Sequence, residues 1–229
     1  VVRDFGHDGR QRAGGSSALG GGAIAVGATI DVGSAQLGVI AAFGLSNRWR
    51  TRQSTQQLST DPNLAGGLQS EFNRVITDNR AVANALVGFG LELDRHKFRW
   101  TNLYIRDTIK QARLGRGTEA NAVGRDFLRQ DTAWFERQLI DTQLVAELNF
   151  DPLKVELRGA YANTQREAPY ERSFIYVRTN QPTPTGNRFI NDLGGNQNGS
   201  ARFAFSDLNE TLWSGGIDVT YRALSNLTL

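Results

Sequence analysis

The feature that most constrains this chain is a period-two alternation of apolar and polar residues that recurs in segment after segment. Successive side chains of a strand point to opposite faces, so such alternation marks a strand with one apolar face. From Ile140 to Phe150 the even positions are Ile140, Thr142, Leu144, Ala146, Leu148 and Phe150, and the odd ones are Asp141, Gln143, Val145, Glu147 and Asn149. Asp151-Pro152 supplies turn chemistry. Beyond it, Leu153, Val155, Leu157, Gly159 and Tyr161 alternate with Lys154, Glu156, Arg158, Ala160 and Ala162. The two runs predict a hairpin with one apolar and one charged face.

The pattern returns at Ile24 to Val32, then beyond a turn near Gly33-Ser34 at Leu37 to Leu45, and again at Ala83 to Leu93, ahead of a turn at Asp94-Arg95-His96. The strand after that turn, about Lys97 to Lys110, is mixed. Phe98, Trp100 and Tyr104 share one parity, while Leu103, Ile105 and Ile109 share the other. A bulge somewhere in it would switch the faces. A last run, Trp213 to Tyr221, precedes a turn at Ala223 to Asn226, and an eighth strand is cut off at Leu229.

Connections alternate in length. Short turns fall near residues 33, 95, 152 and 225, and long polar segments at 51–79, 113–129 and 167–209, giving an internal period of about 60 residues. Transmembrane barrels join strands of ~9–11 residues by short periplasmic turns and longer extracellular loops, whereas soluble barrels and sandwiches keep loops shorter. The expected fold is therefore all-β: an antiparallel up-and-down meander, part of a transmembrane outer-membrane β-barrel of about seven to eight strands. Residues 1–229 form one domain, expected to be incomplete at both ends.

Composition agrees with a long curved sheet, with 25 Gly against 5 Pro. No stretch approaches the ~20 apolar residues of a membrane helix, a test to which alternating strands are invisible. Cysteine is absent, which excludes disulfides, thiolate metal sites and cysteine nucleophiles. Methionine is absent even at position 1, so a processed or excised piece is expected. The net charge of +3 is spread along the chain and argues against nucleic acid as a partner.

The aromatics Trp49, Trp134, Phe150, Trp213 and Tyr221, with Phe98, fall toward strand ends and are expected as two interfacial girdles. Aromatics of a soluble core would gather at strand centres, where only Phe43 and Phe89 lie. Arg48, Arg50 and Arg166 lie on the polar parity near long-loop ends, and the loops add Arg52, Arg74, Arg113, Arg116 and Arg125. They suit an anionic ligand or lipopolysaccharide phosphate, or simply form a solvated charged rim. The segment 181–200 is expected to be flexible.

Nothing points to an enzyme, a metal or a cofactor. The two histidines, His7 and His96, are too few for a zinc site without other ligands. No Gly-x-Ser-x-Gly elbow is present, and Gly20 to Gly22, Gly115 and Gly117 complete no phosphate loop.

The run from Trp134 through Leu144, the Glu147-Leu148-Asn149-Phe150 end, the Leu157 to Ala162 strand, Arg99 to Thr108 and Arg166-Glu167-Ala168-Pro169-Tyr170 together resemble the barrel of TonB-dependent outer-membrane receptors. The resemblance covers most of residues 20–229 and rests on texture rather than an invariant motif. It implies a 22-stranded barrel with a plug domain inside, a Gram-negative outer-membrane location, and import of a siderophore, cobalamin, sugar or similar scarce solute. Implied partners are outer-membrane lipid and lipopolysaccharide, the plug of the same full-length chain, the TonB complex through regions outside this sequence, and the small-molecule ligand. The lumen parity, with Asp141, Glu147, Glu156, Arg158 and Asp218, would face water or the plug. Plug, energy-coupling box and aromatic-ended terminal strand are not in the sequence, so no functional residue carries over. Two other readings stand beside this one: a passive channel or small structural barrel, and a soluble β-rich binding protein.

Overall fold

The computed structural model describes residues 17–61, 66–191, 193, 200–224 and 227–228. They form one antiparallel meander in which each strand pairs with the next: β1 (Ser17–Val32), β2 (Ala35–Ser59), β3 (Leu68–Leu93), β4 (His96–Glu119), β5 (Asp126–Phe150), β6 (Leu153–Arg178), β7 (Ser200–Leu224) and the two-residue β8 (Leu227–Thr228). The all-β meander of seven long strands is as the alternation predicts. Two-residue turns join β1–β2, β3–β4 and β5–β6. Gly33 takes φ 65° in the first and Asp94 φ 51° in the second, a left-handed geometry that Gly adopts freely and Asp tolerates. His96, expected inside the second turn, is the first residue of β4.

Register turns the alternation into faces. Tracing partners from β2 to β7, Val39, Phe89, Trp100, Leu144, Gly159 and Gly215 make one transverse row. The next row toward the turns is Leu37, Leu91, Phe98, Ala146, Leu157 and Ile217. Stacked rows of this kind build a continuous apolar belt on one face, called the outer face below and its opposite the inner face. It runs from Ile24 to Val32 on β1, from Ile140 to Phe150 on β5 and from Trp213 to Tyr221 on β7. The belt is bare: Ile24 is 70% exposed, Leu144 54% and Trp213 75%. Its upper edge slants, because Trp213 stands in the row of Ala41, four residues below Leu45. Its lower edge drops two residues, from the row of Ala35 and Val219 to Tyr221. With ~3.3 Å per residue and ~4.8 Å between strands, the belt lies about 15–30° off the hydrogen-bond rows.

The structure corrects three expectations. First, the long segments are mostly strand. β2 to β7 run for 24 to 26 residues, and the connections shrink to 60–67, 120–125 and 179–199. Above the belt polar residues enter both faces, so the apolar alternation breaks up while backbone pairing continues. The outer face there is a ladder of side-chain hydrogen bonds: Asn79 donates to Asn47 (2.6 Å), Thr51 meets Thr77 (3.0 Å), Thr55 donates to Asn73 (2.8 Å) and Gln57 to Glu71 (2.7 Å). Second, β4 has no bulge; its register with β3 and β5 is continuous. Its mixed pattern arises because Leu103 and Ile105 face inward beside Leu86 and Leu139. Third, Arg166 to Tyr170 lies inside β6, where the register shifts against both β5 and β7 around Ala168-Pro169. Proline donates no ladder hydrogen bond, so a bulge is where a sheet accommodates it. The expected turn at Ala223 to Asn226 lies partly, and the Gly194 to Gly199 stretch wholly, outside the described residues.

The sheet is open. Among the described residues β1 pairs only with β2, and β7 only with β6 and the short β8. A compact chain of 25.2 kDa exposes about 10,000 Å²; this one exposes 16180 Å². The small apolar core at the end remote from the short turns is Phe72, Phe127 and Val177 on the inner face, with Ala122 of the β4–β5 connection folded over them. Gly117 sits between Phe72 and Phe127, and a Cβ there would overlap the Glu71 carbonyl. Gly117→Ala is therefore expected to destabilise the sheet by about 1–3 kcal/mol. Gly159→Ala, with nothing within 4 Å of its added Cβ, should change little. Denaturant midpoints of the two refolded variants check the difference.

Candidate functional site

The inner face divides into bands along the strands. Nearest the short turns is a charge ladder. Lys97 pairs with Glu92 (3.2 Å), Arg99 and Lys154 with Glu147 (3.1 and 3.7 Å), and Arg158 with Glu156 (2.8 Å) and Asp218. Four of the five charged residues expected on this parity thus spend their charge within the sheet. The fifth, Asp141, accepts a hydrogen bond from Gln143 at 3.0 Å. Above the ladder, behind the upper half of the outer belt, the inner face carries Ile40, Ala42, Leu86, Leu103, Leu139, Ala162 and Leu212 and the glycines Gly44 and Gly88, interspersed with Asn84, Thr101, Asp141, Gln143 and Thr164.

The third band, above the outer belt, is rich in arginine. Its lowest row is Ser46, Val82, Asp107, Arg137, Arg166 and Leu208, followed by Arg48, Arg80, Ile109 and Phe135. The next rows carry Arg50, Asp78, Gln111, Ala133, Glu171 and Ala204, then Arg52, Ile76, Arg113, Asp131, Ser173 and Arg202. Three arginines of the band and its upper border have carboxylate partners: Arg52 with Asp78 (3.3 Å), Arg80 bidentate on Asp107 (2.9 and 2.8 Å) and Arg129 with Glu119. Arg48, Arg50, Arg113, Arg137 and Arg202 make no ion pair among the described residues. A shallow depression of about 250 Å³ opens here, lined by Arg113, Asp131, Phe135, Glu171 and Arg202.

The expected ligand residues Arg48, Arg50 and Arg166 all lie in this band, though well inside strands rather than at loop ends. Arg48 and Arg50 sit on β2 and Arg166 four strands away on β6, where it donates to Ser206 (3.2 Å) and covers Phe135 (5.4 Å). Arg80, Arg137 and Arg202, which parity alone did not single out, join them through register. Arg52, Arg74 and Arg113, expected in loops, are strand residues of the same face, and Arg116 is on the outer face of β4, beside Asp126 (3.7 Å) and Phe189 (5.4 Å). Arg125 stays in the β4–β5 connection.

Of the expected girdle aromatics, Trp49 and Trp134 share one outer-face row with Asn79, Lys110 and Tyr170, above the belt and inside their strands. Lys110 stands over the Trp134 ring at 4.3 Å. Phe150 and Tyr221 flank Leu153 in the lowest row, beside the turns. Trp213 is mid-strand rather than beside a long loop, its ring tilted against that of Tyr161 (centroids 4.5 Å apart), and tops the belt on β7. Among the described residues no three His, Asp or Glu side chains are grouped to hold a metal, and no helix is long and apolar enough to cross a membrane.

No protein-family model matches this chain, and no curated protein matches it.

Asp107 is the one described carboxylate within the two lowest arginine rows. Asp107→Asn should therefore cost about 1 kcal/mol, the scale of an exposed ion pair. The loss should shrink in 1 M salt, where the screening length is ~3 Å. Denaturant midpoints at low and high salt test both.

Proposed function

We propose that this sheet is part of the wall of an outer-membrane β-barrel whose whole protein binds a scarce solute from outside and imports it with TonB-coupled energy. The observation that carries the membrane part is the belt: seven neighbouring strands share one bare apolar face about 9–11 residues tall, the span of a tilted strand across a bilayer. A polar hydrogen-bond ladder replaces it directly above. Phe150 and Tyr221 at its lower edge and Trp49 and Trp134 above it suit the two headgroup levels. The two bare edges fit a wall that further strands continue, since lipid tolerates no open edge. On this reading the 25-residue strands stand well clear of the membrane on the outer side, because ~80 Å of strand exceeds a ~25 Å apolar band.

The inner face supports a filled lumen over a passive channel. Porin interiors are polar; here a charge ladder lies behind the lower rows of the belt, but Leu86, Leu103, Leu139 and Leu212 occupy the inner face behind its upper rows. Apolar side chains there call for a packed partner, the role the family resemblance gives to a plug domain.

Two outcomes are expected. Leu144→Arg should weaken insertion by ~2–4 kcal/mol if it lies near the midplane, while Gln143→Arg, one residue away on the other face, should be tolerated; vesicle-folding titrations measure both, and equal effects would remove the assignment of faces. The full-length protein should give no steady conductance in a planar bilayer. A constantly open pore would instead favour the passive channel.

A further inference from the structure

We propose that the upper inner face carries an oxyanion subsite built from two directly opposed arginine pairs, Arg48 with Arg80 and Arg137 with Arg166, and that its ligand is a solute bearing at least two carboxylate or phosphate groups. The proposal deepens the transport reading and rests on it only in taking this face as the lumen side.

Arg48 and Arg80 are register partners across β2 and β3, and Arg137 and Arg166 across β5 and β6. Like charges directly opposite on one face of a sheet destabilise it. Here two such pairs occur in neighbouring rows, with Asp107 between them on β4. Asp107 is committed to Arg80 by two hydrogen bonds, at 2.9 and 2.8 Å, and Arg166 reaches only the Ser206 hydroxyl, at 3.2 Å. Arg48 and Arg137 make no ion pair among the described residues. The constellation holds four positive charges against one negative.

The same sheet balances its charges where balance serves the wall. In the ladder beside the short turns, Arg99, Lys97 and Arg158 all have carboxylates. Among the described residues, opposed arginine pairs that outnumber their carboxylates occur only above the belt, beside the open depression that Phe135 helps to line. Guanidinium groups bind carboxylate and phosphate in bidentate geometry, so two paired guanidiniums make a strong site for one such group. The two pairs are centred three inter-strand spacings apart, about 14 Å. A single small anion cannot engage both, and a solute with two or more anionic groups can.

The test uses the full-length protein in detergent, with inositol hexakisphosphate and citrate as multivalent probes, inorganic phosphate as a monovalent one and sucrose as a neutral control, followed by calorimetry. Multivalent probes should bind, phosphate at least about tenfold more weakly, and sucrose not at all. The double variants R48Q/R80Q and R137Q/R166Q should each weaken multivalent binding about tenfold. R99Q, in the ladder, should leave it unchanged, and heat-modifiable gel migration confirms that each variant is folded. Folded wild-type protein that binds no polyanion, or double variants that bind as well as wild type, would overturn the proposal. So would binding that emerges only after the domain inside the barrel is deleted, since the arginines would then serve a protein partner. Polyanion binding without energy-dependent uptake would remove the import reading and leave the subsite standing; energised uptake of a neutral solute without polyanion binding would do the reverse.

Discussion

Everything in this structure depends on the backbone hydrogen-bond ladder holding a constant register. A slip of one residue would carry every side chain of a strand to the opposite face. Because β2 to β5 pair without a shift below the level of Ser59 and Trp134, the outer parity of one strand meets the outer parity of the next. That continuity joins isolated alternating segments into one belt and places arginines from six strands in one band. Where the register does shift, at Ala168-Pro169 in β6, even-numbered residues such as Tyr170, Arg172 and Phe174 turn outward, and Phe174 meets Phe203 of β7 edge-on at 5.6 Å.

The two halves of the strands obey different physics. In the lower half, most residues of one parity are apolar and join the belt, while those of the other put small, apolar, hydrogen-bonded or charge-paired groups on the inner face. In the upper half neither face carries a continuous apolar belt, and cohesion comes from backbone pairing, amide and hydroxyl ladders, ion pairs, the small Phe72–Phe127–Val177 core and a few cation–π contacts such as Arg129 over Phe72 at 4.2 Å. The change of chemistry along a single strand is abrupt on β2, where Leu45 is followed on the same face by Asn47, Trp49 and Thr51.

The lower half was legible in the sequence because a period-two apolar signal is what burial or lipid contact on one face imposes. Ile24 to Val32, Leu37 to Leu45, Ala83 to Leu93, Ile140 to Phe150, Leu153 to Ala162 and Trp213 to Tyr221 all fall within strands. The upper half was not. Thr51 to Ser59 and Arg113 to Glu119 carry no apolar period, so they look like loop although they pair fully. For the same reason Trp49 and Trp134 read as strand ends in the sequence, although they lie inside β2 and β5. For the arginine band, parity separated Arg48 and Arg50 from their neighbours. Only register could bring Arg80 and Arg137 to them, because partners across a sheet are fixed by turn geometry and bulges and not by local spacing. The mixed parity of β4 imitates a bulge, because its inward Leu103 and Ile105 disguise a regular strand, while Pro169 at the register shift in β6 resembles a loop residue.

The central claim is that one face of this sheet meets lipid and the other does not. The 229 residues contain no cysteine, so single cysteines introduced at each position from 140 to 150 of the full-length protein can carry a spin label. Collision rates with oxygen, which concentrates in lipid, and with a water-soluble nickel chelate should alternate with period two: oxygen high at 140, 142, 144, 146 and 148, and low at 141, 143, 145 and 147. Uniform accessibility to the water-soluble reagent along the whole segment would contradict the account and leave a sheet with no membrane face.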